Sequence, residues 1–240
     1  MEIRNLDELI NQFVPKTKSQ NKNPFAPVFP SRAMIIAPSG GGKTNIVMNL
    51  VLDYLQFDRL YLYVKDLEED KYQFLLSYMQ SVQKQYNEAN DTEEQIFFFS
   101  DRAEDIINVN DLDKDKQNLI IIDDSVLDKE ANEKVSELFI RGRKRNALVI
   151  YQTQSYFDVP KIMRLNSNYV ILLNANNQRE LIEIAKTYAS DIDFQEFKNL
   201  YKQCTAEPFG FMVIDAVSPY KCMKYRCNFD GLYCEENNNN

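Results

Sequence analysis

Histidine is absent from the 240 residues. Its absence removes Ser-His-Asp triads, Cys-His dyads and His-bearing zinc sites together, so any chemistry runs on carboxylates, Lys, Arg, amides and a bound metal. Tryptophan is missing too, which leaves 15 Phe and 14 Tyr as bulky core material. No apolar run approaches the roughly 20 residues of a membrane-spanning helix, so no membrane partner is expected. The opening Met1-Glu2-Ile3-Arg4-Asn5-Leu6 is mixed and charged and gives no secretory segment to expect. Cysteine is sparse: Cys204, Cys222, Cys227 and Cys234 contain no C-x₂-C pair, so a structural zinc site is not expected. Reduced cysteines in strands are the expectation, in a reducing compartment. A net charge of −8 excludes a surface coated in basic residues for nucleic acid. It still allows a local positive stripe.

What is present is one chain long enough for a single well-filled α/β core, 44% hydrophobic. Residues 1–32 read as an N-terminal helix over Asp7 to Phe13 and then an extended basic connector. The connector carries four prolines with Lys16, Lys18, Lys22 and Arg32 unopposed by acids, and a solvated linker is expected there. Residues 33–234 read as one domain of alternating strands and helices. Near-continuous apolar strands such as Ala33-Met34-Ile35-Ile36 and Leu119-Ile120-Ile121-Ile122 call for a mostly parallel sheet covered on both faces. Lys71 to Asn90 is the longest helical segment, with Leu75, Met79, Val82 and Tyr86 on its apolar stripe. Two late strands, Gly210 to Asp215 and Lys224 to Cys227, suggest a hairpin through Ser218-Pro219. Residues 235–240, rich in Asn, are expected to be disordered.

Three of the six glycines stand together at Gly40, Gly41 and Gly42, after a short buried strand and before an amphipathic helix. A loop of that composition turns backbone N–H groups inward around phosphate oxygens, and the helix starting at Lys43 points its positive end at the same anion. Pro38, Ser39, Gly40, Gly41, Gly42, Lys43, Thr44 and Asn45 are therefore the candidate nucleotide cradle. Lys43 would reach the β- and γ-phosphates of ATP, and the Thr44 hydroxyl would hold Mg²⁺. Ala37 stands where the usual pattern begins with glycine.

Asp123 ends an apolar strand, which puts its carboxylate at the sheet's carboxyl edge as a second Mg²⁺ group. Asp124 beside it could polarise the attacking water. Gln152 ends the next strand and could orient that water or sense the γ-phosphate; Gln154 could do the same or only cap the strand end. Arg141-Gly142-Arg143-Lys144-Arg145 places four cations at a helix end. They read either as a solvated helix terminus favoured by the macrodipole or as the source of a guanidinium for a neighbouring subunit, with Arg141 and Arg143 preferred.

In their order along the chain, these motifs and the run Tyr151-Gln152-Thr153-Gln154-Ser155-Tyr156-Phe157-Asp158-Val159-Pro160-Lys161 resemble a known family. It is that of the DNA-packaging ATPases of poxviruses, other large eukaryotic DNA viruses, virophages and polinton-like elements, in the FtsK–HerA superfamily. The resemblance spans about Ala33 to Leu173, and Arg141 to Asn168 is its most distinctive part. It implies an additional-strand, RecA-like P-loop NTPase fold with the Gln152 strand between the phosphate-loop and Asp123 strands. It implies ATP hydrolysis with Mg²⁺ and a homo-oligomeric ring of five or six subunits. It also implies that the ring drives double-stranded DNA through a capsid or portal vertex, in the virion or at a cytoplasmic assembly site. Lys43 and Thr44 then take the Walker A roles, Asp123 the metal acid, Asp124 the catalytic acid, Gln152 the sensor, and the Arg141–Arg145 region the trans finger. Asp124 is one methylene shorter than the Glu common in the wider superfamily.

Other classes predict other features. A P-loop nucleoside or nucleotide kinase needs an Arg-bearing lid after the third or fourth helix, and none is evident. A guanine-selecting Asn-Lys-x-Asp is missing. A related DNA-translocating or helicase-like motor with another task differs from packaging only through the resemblance.

Overall fold

The computed structural model describes residues 21–123, 129–175, 177–218 and 221–230. The Asp7–Phe13 segment, Asp124, Cys234 and the Asn-rich tail lie outside the described residues. Among the described residues, eight strands form one sheet: β1 Ser31–Ile36, β2 Arg59–Tyr63, β3 Phe97–Ser100, β4 Asn118–Asp123, β5 Ala147–Thr153, β6 Tyr169–Leu172, β7 Met212–Asp215 and β8 Tyr225–Cys227. Their order across the sheet is β3-β2-β4-β5-β1-β6-β7-β8. The first six are parallel, while β7 is antiparallel to both β6 and β8. β5 therefore stands between β1 and β4, where the expected additional strand belongs.

Helices cover both faces: α1 Lys43–Asn49, which runs on as a π-helical turn over Leu50–Tyr54, α2 Asp70–Asn90, α3 Lys129–Arg141, α4 Lys161–Asn166, α5 Gln178–Tyr188, α6 Phe194–Cys204 and α7 Lys221–Lys224. Strand residues alternate between the faces with period two. Ile120 and Ile122 pack under α3, α5 and α6 through Val135, Ile184 and Phe197. Leu119 and Ile121 pack under α1 and α2 through Val47, Leu50, Leu75 and Met79. All four β4 side chains are fully buried, each stabilising the fold by about 2 kcal/mol. No helix among the described residues is long and apolar enough to cross a membrane.

Three local expectations are corrected. The segment before β1 is not a solvated linker over residues 21–30. Ala26 and Phe29 are buried in the α1–α2 side of the core, and Asn23 Nδ2 donates to Phe229 O at 2.8 Å. The strand itself starts at Ser31, because Ser31 and Arg32 already pair with Leu148 and Val149. Arg32 is half-buried, and its Nε donates to Asn166 O at 2.7 Å. Second, β7 and β8 are antiparallel as expected, but the connection contains helix α7 and β8 starts at Tyr225. Third, Cys204 and Cys227 are not reduced strand cysteines. Cys204 ends α6, Cys227 ends β8, and their sulfurs are bonded, with Cα atoms 4.7 Å apart. Packing of α6 against β7 and β8 creates this pairing across 23 residues of sequence.

Candidate functional site

Parallel strands end together, so β1, β4 and β5 deliver their following residues to one edge of the sheet. After β1 the chain turns through Pro38 to Gly42, with Gly41 N–H donating to Pro38 O at 3.0 Å. Gly40 and Gly42 have φ of 70° and 105°. The left-handed region is open to glycine at little steric expense, and Gly42 uses it as the N-cap of α1. Gly42 brings no side chain of its own to cap that end, and the first N–H groups of a helix point out along its axis toward the preceding loop. Lys43 Nζ lies across the same loop, donating to Ala37 O at 2.8 Å and to Pro38 O at 3.3 Å. The predicted cradle from Pro38 to Asn45 is thus one continuous turn and helix start, bonded to β5 through Ala37 N–H and Thr153 O.

Asp123 and Gln152 stand beside it. Ile121 and Ile150 face the α1–α2 side of the sheet, so Asp123 and Gln152, each two residues on, face that side as well. Gln152 is fully buried, and among the described residues neither Oε1 nor Nε2 has a hydrogen-bond partner. Buried amides are normally paired, and leaving one unpaired is costly.

A residue that the sequence reading passed over completes the group. Tyr72, in the first turn of α2, is 2% exposed, and among the described residues its hydroxyl also lacks a partner of good geometry. Burial raises the phenol above its ordinary pKa; the side chains of Gln152 and Thr44 pull it down, and the Asp123 carboxylate pushes it up. Gln152 and Thr44 are thus close polar neighbours of the hydroxyl, not hydrogen-bond partners. The sequence shows only its place on the buried stripe, three residues before Leu75; its nearness to Gln152 follows from β2 lying beside β4.

The two arginines lie elsewhere. Arg141 ends α3, and Arg143 sits in the 3₁₀ turn Gly142–Arg145 leading into β5. That is the sheet's amino edge, opposite the phosphate loop. Arg141 is exposed, donating to Asn110 Oδ1 at 3.0 Å and lying 3.9 Å from Glu137. Arg143 is exposed and close enough to Arg32 to add to the burial that lowers the Arg32 pKa. Asp124 lies outside the described residues. The exposed Gln154 follows β5. Beyond it the chain is held by Glu180, whose Oε1 accepts from Ser155 Oγ at 2.5 Å and Tyr156 N–H at 3.1 Å. Much of the distinctive Ser155–Lys161 run is therefore an anchor: Tyr156 and Val159 are buried, and the Arg164 guanidinium lies over the Tyr156 ring at 4.8 Å.

The sequence profile of the poxvirus A32 protein family matches residues 18–210. The chain belongs to that family. Among curated proteins none matches. Among solved structures, the fold is similar to that of B204, the DNA-packaging ATPase from Sulfolobus Turreted Icosahedral Virus. The TM-score is 0.52 at 13% identity, covering 82% of this chain and 96% of that one. It is similar also to the genome packaging NTPase B204 from Sulfolobus turreted icosahedral virus 2 in complex with ATP-gammaS, at 0.52 and 15% over the same shares. At such identities the likeness speaks for the fold. For this A32 family member, the matched span takes in the phosphate loop, Tyr72, Asp123, Gln152 and both arginines.

Proposed function

We propose that this A32 family member is an ATP-hydrolysing motor that moves double-stranded DNA into a preformed viral capsid. The observation that carries the reading is the convergence of the glycine loop, Lys43, Thr44, Asp123 and Gln152 on one sheet edge, with buried polar atoms of Gln152 and Tyr72 that have no hydrogen-bond partner among the described residues. Such atoms fit a site whose missing partners are phosphate oxygens and metal-bound water. ATP fits the cradle, and Mg²⁺ fits the Thr44 hydroxyl and the Asp123 carboxylate, a hard all-oxygen donor set. When bound, Mg²⁺ neutralises charge on the β- and γ-phosphates.

The remaining work falls to the chain itself. The loop N–H groups and Lys43 hold the phosphates, Gln152 and Tyr72 orient the water and the terminal phosphate, and Asp124 takes up the water's proton. Arg141 or Arg143 lies at the opposite edge of its own sheet, so it reaches a phosphate only from a neighbouring subunit. A head-to-tail ring of five or six subunits supplies that neighbour. Its DNA stripe, its capsid or portal contact, and its place in the virion or a cytoplasmic assembly site belong to the same proposal. Family membership and the likeness to B204, a DNA-packaging ATPase, support it.

The test is ATP hydrolysis with and without linear double-stranded DNA, for the parent, Lys43→Ala and Asp123→Ala. The parent should hydrolyse ATP faster with DNA, and both variants should lose activity. Phosphate transfer to a nucleoside, with no response to DNA, would replace the motor by a kinase. Negative-stain images should show rings.

A further inference from the structure

A cleft of about 280 Å³ opens from the phosphate loop along the flank of α1. Gly42, Asn45 and Asn49 form one wall, the turn Glu207 to Phe211 the other, and Phe229 with Asp230 the far end. Its floor is aromatic: the Phe211 and Phe229 rings meet edge-to-face at 4.9 Å. The two walls are tied together, since Phe211 N–H donates to Asn228 Oδ1 at 3.1 Å and Asn228 N–H to Phe211 O at 2.9 Å.

Phe209 is the unusual member. It is 62% exposed, and its backbone is left-handed at φ 63°, a region that bulky residues rarely enter. The turn compels it. Gly210 N–H donates to Glu207 O at 3.0 Å, and a Cβ at Gly210 would come within 2.5 Å of Cys204 O. The turn thus holds a large apolar ring out in solvent, against the phosphate loop: a Cβ on Gly42 would lie 3.0 Å from Phe209 Cδ1. Strain of this kind persists where surrounding structure enforces it, and it clusters at ligand sites.

The charge of the cleft separates it from the phosphate cradle it adjoins. Among the described residues its charged lining side chains are the acids Glu207 and Asp230, with Asn45, Asn49 and Asn228 as amides and no Lys or Arg. Acidic groups repel phosphate, whereas aromatic rings and hydrogen-bond acceptors suit an uncharged heterocycle and its sugar. We infer that this cleft is the base subsite of the nucleotide, with Phe209 as its stacking platform. A stacking ring accepts any base, and the carboxylates and amides at the rim can meet its ring and exocyclic N–H groups. The inference rests on the nucleotide-binding reading of the phosphate loop.

Calorimetry of the full chain with three probes tests it: Mg·ATP, Mg·GTP and magnesium tripolyphosphate, which has no base. The parent should bind ATP and GTP more tightly than tripolyphosphate. Phe209→Ala should weaken ATP binding on the order of tenfold or more, the usual worth of one aromatic–base stack. It should leave tripolyphosphate binding unchanged, which also shows that the loop is folded. Phe209→Tyr should restore ATP affinity. Unaltered ATP binding by Phe209→Ala would overturn the subsite. A parent that binds neither ATP nor tripolyphosphate would instead overturn the phosphate-loop reading beneath it.

Discussion

Asp123 and Gln152 are register partners at the ends of adjacent parallel strands, and Gln152 is at the same time the partner of Ile35 in β1. Neighbouring strands lie about 4.8 Å apart, so the amide stands one strand from the acid and one strand from the phosphate-loop strand. Because register partners in a parallel sheet share a face, the carboxylate and the amide both look toward α1 and α2. Those helices bring Thr44 and Tyr72. Sheet order, and not sequence proximity, assembles the site.

Gln152 should show a conflict between stability and activity. Its two unpaired amide atoms are buried, and each such atom is a penalty in the nucleotide-free fold. Gln152→Leu should therefore raise nucleotide-free stability by about 1 kcal/mol in urea unfolding. It should lower kcat for ATP hydrolysis by about a hundredfold, the usual effect of losing one positioned transition-state donor. A variant that loses stability and keeps its kcat would show that the amide serves packing alone.

Tyr72→Phe keeps the ring in the core and removes only the hydroxyl. Thermal stability should hold, since that hydroxyl has no partner of good geometry among the described residues. The expected effect falls on kcat, on the order of tenfold for one lost hydrogen bond to the bound state. Steady-state kinetics with KM and kcat separated would check it. An unchanged kcat would make Tyr72 a core residue only.

The parts of this molecule legible in the sequence were those written locally. The β4 run Leu119 to Ile122, the long helix over Lys71 to Asn90, and the triple glycine before Lys43 each carry their signal in their own stretch of residues. What stayed hidden depended on distant packing. Tyr72 resembles any stripe residue until β2 is known to neighbour β4. The Cys204–Cys227 bond depends on where α6 lands. Residues 21–30 look like a linker because their prolines break any helix or strand period, while Phe25, Ala26, Pro27 and Phe29 attach the segment to the core. The acceptor-rich cleft at Phe209 has no motif at all, being made from two turns and a helix flank.

The arginines should act between subunits. Arg141 and Arg143 sit at the amino edge of the sheet whose carboxyl edge carries the cradle. For whichever of them serves as the finger, replacement by Ala should lower ATP turnover on the order of a thousandfold. Mg·ATP affinity should stay nearly unaltered. Mixing that variant with Asp123→Ala subunits should restore part of the activity, since a mixed interface joins one intact cradle to one intact arginine. No recovery for either arginine, in mixtures shown to form rings, would count against a trans role.

The Cys204–Cys227 bond closes a loop across a 23-residue separation, and a bond of that span contributes about 3 kcal/mol in the chain-entropy account. Cys204→Ser, or reductant added to the parent, should therefore lower Tm by about 8 °C. The variant should be insensitive to reductant. Full alkylation of both cysteines in folded, unreduced protein would show that they are not paired.

Alkaline pH should unfold the protein through its buried tyrosines. Burial pushes the Tyr169 phenol up from 10.0 to about 12, with the Asp215 carboxylate adding to the shift. Tyr63, Tyr188 and Tyr225 are raised in the same direction, chiefly by burial. A folded-state pKa above the unfolded value means that the unfolded chain loses its protons first. The stabilisation is then complete below pH 10 and drains away as pH rises through the folded values. Urea midpoints should be insensitive to this term below pH 10 and fall steadily from there toward pH 12. Tyrosinate absorbance of the folded protein should lag behind that of the urea-unfolded chain over the same range. Tyr169→Phe should flatten part of the fall. Coincident titration curves for folded and unfolded protein would refute the assignment.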